Sequence, residues 1–154
     1  MIADGPNTLL ERGAELTALS AQLDGARAAS GSVALLEAPA GHGKTALLRV
    51  LRAEAAERGF KTLTATGAPL ERDFAFGIVR QLFDAELHTA DADRRARLFA
   101  GAAGLAEAVF ASVHTHESPD PAHSTLYGLY WLAATLAAEQ PLLIVVDDAH
   151  WADA

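Results

Sequence analysis

A lysine and a threonine side by side behind two glycines, and a pair of aspartates near the C-terminus, are the residues of this chain best placed by type and spacing to do chemistry. The first group is Ala38-Pro39-Ala40-Gly41-His42-Gly43-Lys44-Thr45. It follows the spacing G-x-x-x-x-G-K-S/T except that Ala38 stands where the first glycine usually does. In such a loop successive backbone N–H groups form a concave anion site, and the helix that follows adds unsatisfied donors and a partial positive charge. Gly41 and Gly43 permit positive φ and let phosphate approach the backbone closely. Ala38 through Thr45 therefore read as a nucleotide-phosphate cradle, the P-loop. Lys44 is the residue that reaches the β- and γ-phosphates, and the Thr45 hydroxyl is the one that joins a Mg²⁺ shell.

The second group is Leu142-Leu143-Ile144-Val145-Val146 followed by Asp147-Asp148. A large apolar run ending in an acid is ordinary for a buried strand that meets a polar turn. Paired with a P-loop it gains a second meaning, the Walker B element. The strand would then hold Asp147 opposite Thr45 across the Mg²⁺, and Asp148 would polarise the water that attacks the γ-phosphate. His114, His116 and His123, with Glu117 and Asp120 nearby, lack the fixed spacing that a tetrahedral zinc site demands. His42, between the two glycines, reads as solvent-facing. His150 and Trp151 follow the acids and either line the catalytic edge or pack into the core.

The elements that must position these groups follow from periodicity. Residues 1–8 read as a loose terminus. Residues 15–29 read as a helix with Leu16, Leu19, Leu23 and Ala26 on one stripe, and Gly31 as its stop. The apolar run 33–37 is the expected first strand, of the kind covered on both faces. After the P-loop a helix carries Leu47, Leu48, Leu51, Ala55 and Ala56 on one side, and Gly59 ends it. Residues 60–66 form the expected second strand, so the region is a right-handed βαβ unit.

Helices are expected over 76–85, with Phe76, Val79, Leu82 and Phe83 apolar, and over 91–112, where Gly101 and Gly104 weaken continuity. Residues 113–121 read as a loop, with Asp120 as cap and Pro121 as first residue of a helix running to about residue 139. Its buried face is expected at Leu126, Leu129, Tyr130, Ala133, Leu136 and Ala137.

The fold class is α/β, a three-layer αβα P-loop NTPase with a parallel sheet. About three core strands are expected, and several helices lie between the second strand and the one ending in Asp147. Length fits part or all of one domain: 154 residues, no cysteine and therefore no disulfide framework. No run of about eighteen apolar residues marks a membrane span, and residues 1–5 carry no secretion signal, so a cytoplasmic protein is expected. A net charge of −8 disfavours direct nucleic-acid contact. Arg94, Arg95 and Arg97, interleaved with Asp91 and Asp93, read as a solvated helix face. No Asn-Lys-x-Asp guanine signature occurs, which favours ATP over GTP.

These residues resemble a known family. Leu9-Leu10-Glu11-Arg12 with Glu15-Leu16, the P-loop from Glu37, the stretch Leu70-Glu71-Arg72-Asp73-Phe74-Ala75-Phe76-Gly77-Ile78-Val79-Arg80-Gln81-Leu82-Phe83, and Val145-Val146-Asp147-Asp148-Ala149-His150-Trp151-Ala152-Asp153 are similar to the ATPase region of large LuxR-type transcriptional regulators. These are AAA-like, STAND-type ATPases.

The resemblance implies an ATP- and Mg²⁺-dependent switch in which nucleotide state, ATP or ADP, controls self-association and a distant DNA-binding segment. It also implies that Arg12 lies near the adenine. In similar ATPases two further strands flank the P-loop strand, one of them between it and the Walker B strand, and both would follow Ala154. The resemblance therefore implies an incomplete sheet in which the P-loop strand lacks its usual neighbours, a costly state for unpaired backbone and an uncovered apolar strand. This chain alone is expected to hydrolyse ATP poorly, as a fragment or truncated product. The alternative is a catalytically inactive nucleotide-binding or interaction module.

Overall fold

The structure, a computed structural model, describes residues 12–39, 41–69, 75–111 and 123–152. The expected loose terminus, Ala40, residues 70–74, the 113–121 loop and the Asp120–Pro121 helix start lie outside the described residues. In chain order the elements are helix α1 (Gly13–Arg27), α2 (Lys44–Glu57), strand β1 (Lys61–Thr66), α3 (Gly77–Thr89), α4 (Ala92–Leu98), a 3-10 helical segment (Gly101–Phe110), α5 (His123–Glu139), β2 (Leu142–Asp147) and a 3-10 turn (Ala149–Trp151).

β1 and β2 pair in parallel, with Lys61 opposite Leu142 and Thr66 opposite Asp147. Partners in a parallel pair share a face and successive residues alternate, so two sets emerge. Leu63, Ala65, Leu142 and Val146 pack with Leu82, Phe83 and Leu87 of α3, Leu98 of α4, and Leu132 and Leu136 of α5. On the other face Leu143 joins Leu19 and Leu23 of α1 and Leu47, Leu51 and Ala55 of α2. Helices thus lie against both faces of the two strands. Thr66 and Asp147 fall on the α2 face.

The expected first strand does not form. Residues 33–37 have no strand partner, and Val33 and Leu35 are 96% and 85% exposed. A strand exists only where a neighbour takes up its N–H and C=O groups. Among the described residues β1 and β2 pair only with each other, and neither borders 33–37. Leu36 still packs against the α1–α2 cluster.

The helix ends are clearer than their starts. α1 stops before the expected Gly31. Ala29 takes a left-handed conformation (φ 60°), its N–H donates to the Ala26 carbonyl, and the Ser30 N–H donates to that of Gly25. This is a Schellman closure that alanine tolerates at a cost. α2 ends in the same closure, with Gly59 (φ 78°) as expected. Phe76 heads α3 in the left-handed region, outside the helix it was expected to open.

The single expected helix over 91–112 is two pieces. Asp91 caps α4 by accepting the Arg94 N–H at 2.7 Å. The chain then turns through Phe99 and Ala100, and Gly101 (φ 61°) restarts it as 3-10.

α5 is rotated relative to its expected buried face. Gly128, Leu129, Leu132 and Leu136 are buried, whereas Leu126, Tyr130 and Ala137 are exposed. The glycine decides this: a Cβ at position 128 would lie 2.6 Å from the Ala106 backbone nitrogen, so the 3-10 segment packs where only glycine fits. On α2, Ala56 is exposed while Leu47, Leu51 and Ala55 are buried. Arg94 is not simply solvated. It bridges Glu86 and Glu139, and Glu86 also accepts from Lys61 at 2.6 Å, tying β1, α3, α4 and α5 together.

Candidate phosphate-loop site

The loop before α2 is built by two left-handed glycines, Gly41 (φ 79°) and Gly43 (φ 76°), the latter capping the helix. Left-handed backbone costs glycine little, and it turns successive peptides so that their donors need not alternate outward. Ala38 is not among the positive-φ residues, so a methyl group replaces the usual glycine there without backbone strain. The His42 N–H reaches back to the Pro39 carbonyl at 3.4 Å. Lys44, first residue of α2, turns its ammonium onto the same stretch and donates to the carbonyls of Ala38 (2.6 Å) and Pro39 (3.1 Å). Its charge is thereby held over the loop at the positive end of a helix.

Arg12 lies outside the loop. One guanidinium nitrogen donates to the His42 carbonyl at 2.8 Å and the other to Glu15 at 2.8 Å. A backbone hydrogen bond, and then the Arg12 contact, hold the Glu15 carboxyl below its ordinary pKa.

The acid pair sits at the end of β2. Asp147 is half-buried, and one of its carboxylate oxygens accepts the Asp148 N–H at 3.0 Å. Asp148 is exposed and left-handed (φ 49°), a conformation aspartate adopts more readily than most residues. The Asp147 carbonyl accepts the Gly67 N–H at 2.9 Å.

Thr45 and Asp147 line one cleft of about 270 Å³ between α2 and the strand ends, together with Arg49, Arg52, Thr66 and Gln81. Lys44, Arg12 and Asp148 do not line it. A threonine hydroxyl and a carboxylate are hard oxygen donors of the type Mg²⁺ takes, with waters and phosphate completing an octahedron. The donor set therefore fits the ion.

A family model for the AAA ATPase domain matches residues 8–154. The chain belongs to that family. No curated protein and no solved structure gave a match. The AAA domain is a nucleotide-binding unit, which accords with the phosphate loop at the head of α2.

Two residues of this AAA domain that shape the site were not singled out from sequence. Gly67 is one: a Cβ there would meet the Asp148 carbonyl oxygen at 2.4 Å, so the crossing of the two strand ends requires glycine. Its only signal was a glycine directly after a β-prone run. Gln81 is the other. Its side-chain oxygen accepts the Thr66 N–H at 3.0 Å and its nitrogen donates to the Thr66 carbonyl at 3.3 Å, so it serves as a substitute strand neighbour at the cleft. It lay within the expected helix over 76–85 and within the stretch noted for resemblance, with no role of its own assigned.

His150 and Trp151 pack ring against ring at 5.0 Å. His42 is exposed. Among the described residues no group of three or more His, Asp or Glu gathers to hold a metal ion, and no helix is long and apolar enough to cross a membrane. His114, His116, Glu117 and Asp120 lie outside the described residues.

Proposed function

We propose that this AAA domain binds ATP with Mg²⁺ through the P-loop and works as the nucleotide switch of a cytoplasmic LuxR-type, STAND-like transcriptional regulator. The observation that carries the nucleotide reading is the cleft shared by Thr45 and Asp147, one donated by the helix after the loop and the other by the distant strand. In this reading Gly41, His42, Gly43 and Lys44 hold the phosphates, with Ala38, Pro39 and Ala40 forming the rest of the cradle. Thr45 and Asp147 hold the ion. Mg²⁺, when bound, supplies charge neutralisation across the β- and γ-phosphates. Asp148 orients the attacking water, and its exposure leaves it free to approach the nucleotide from outside the cleft.

A second reading, binding without turnover, is favoured by one observation. Residues 33–37 lead directly into the P-loop yet have no strand partner, so strand pairing does not anchor the cradle, which is held at the head of α2 and by the Arg12 bond to the His42 carbonyl. Catalysis depends on positions held to a fraction of an ångström, whereas binding tolerates more play.

The regulator switch predicts that ATP and ADP change self-association of the full-length regulator, and that this segment contributes no DNA affinity. Sedimentation velocity with each nucleotide, alongside a phosphate-release assay on residues 1–154, tests both readings. Nucleotide-dependent assembly with release abolished by Asp148→Asn supports the switch. Identical sedimentation in ATP, ADP and buffer contradicts it.

A further inference from the structure

Arg12 touches the phosphate loop through its backbone, and this contact has a mechanical consequence. A peptide unit is planar and trans, so its C=O and N–H point in opposite directions. Fixing the His42 carbonyl therefore fixes the Gly43 N–H, which must point away from Arg12. A flip changes ψ of His42 and φ of Gly43, and glycine accepts either sign of φ. Gly41, on the other side of His42, is equally permissive, and both glycines stand at positive φ.

The Arg12 guanidinium is suited to act as the latch because its fork makes two bonds at once. One nitrogen is held by Glu15 one turn into α1, and the other is presented to the His42 carbonyl at 2.8 Å. The main chain of Arg12 is anchored as well, its carbonyl accepting the Leu16 N–H at 3.0 Å.

We propose that Arg12 is a positioning residue that locks the His42–Gly43 peptide, so that the Gly43 N–H is preorganised as a phosphate donor, and that it acts without contacting the base. The inference rests on the phosphate-binding reading of the loop and deepens it. It replaces the adenine contact implied by family resemblance with a contact present in this chain. Preorganised backbone donors strengthen anion binding because no reorganisation is required when the ligand arrives.

The test titrates Mg²⁺·ATP and Mg²⁺·tripolyphosphate, which has no base, into wild type, Arg12→Ala and a Lys44→Ala control. Relaxation dispersion is measured at the Gly43 amide of the first two proteins without ligand. The lock requires Arg12→Ala to weaken both ligands by the same factor, roughly three- to tenfold, the net worth of one typical hydrogen bond. Exchange broadening should appear at Gly43 while the thermal midpoint stays unchanged, a local effect that a merely structural role would not produce. Should Arg12→Ala fail to fold, Arg12→Gln keeps a polar surface residue too short to reach His42 and is expected to behave the same way.

Weakened ATP binding with unchanged tripolyphosphate binding overturns the proposal in favour of a base contact. Unaltered relaxation at Gly43 also overturns it. If Lys44→Ala leaves ATP affinity untouched, the phosphate-binding reading falls. The lock is still judged, by Gly43 relaxation alone.

Discussion

At the scale of single residues, the site depends on places where a side chain, or the lack of one, leaves no alternative. Gly67→Ala drives a methyl group into the Asp148 carbonyl, a backbone atom that cannot step aside. It should cost about 1–3 kcal/mol, as overpacking against fixed structure does, and displace the acid turn. Urea denaturation checks the first effect and Mg²⁺·ATP affinity the second. Glu15 gives a pH dependence with a definite sign. Its folded pKa is lowered, so its contribution is present above the ordinary carboxylate range and fades as pH falls through the folded value beneath that range. In Arg12→Ala the backbone hydrogen bond remains, so the midpoint of the Glu15 carboxyl titration followed by NMR should move up toward the ordinary carboxylate range without the whole lowering being lost. Lys44, Thr45 and Asp147 stood out in the sequence because the chemistry proposed for them is tied to spacing. Gly67 and Gln81 were not, because their roles arise only when two strand ends and a helix meet.

At the scale of elements, local signals placed most helices and both strands that form, and failed where the deciding contact was distant. Alanine and leucine periodicity found α1, α2, α3 and α5. Periodicity could not choose the buried face of α5, because apolar residues surround that helix and the choice was made by the close approach of the 3-10 segment at Gly128. Gly128→Ala should therefore destabilise the fold by about 1–3 kcal/mol, although alanine is the better helix former. A chemical-denaturation midpoint that rises instead would refute this packing account. The ion-pair chain Lys61–Glu86–Arg94–Glu139 joins elements in the same non-local way. Glu86→Gln removes the carboxylate shared by two half-buried cations and should cost about 1–3 kcal/mol, between the exposed and buried limits. A double-mutant cycle with Lys61→Met measures the coupling.

At the scale of the whole molecule, two parallel strands with helices on both faces hold a P-loop helix against an acid-bearing strand. The three-strand expectation failed at 33–37 for a reason apolar content cannot reveal: strand formation is decided by neighbours, and Val33 and Leu35 have none to pair with. The AAA ATPase family membership and the shared Thr45–Asp147 cleft both bear on one central claim, that the P-loop is a Mg²⁺–nucleotide site. Calorimetric titration of ATP into residues 1–154, with and without Mg²⁺, compared with Lys44→Ala, tests it most directly. The expected result is saturable one-site binding that weakens when Mg²⁺ is withdrawn and falls by about tenfold or more in Lys44→Ala, as loss of a charge-assisted phosphate contact implies. Equal affinity in wild type and Lys44→Ala would contradict it.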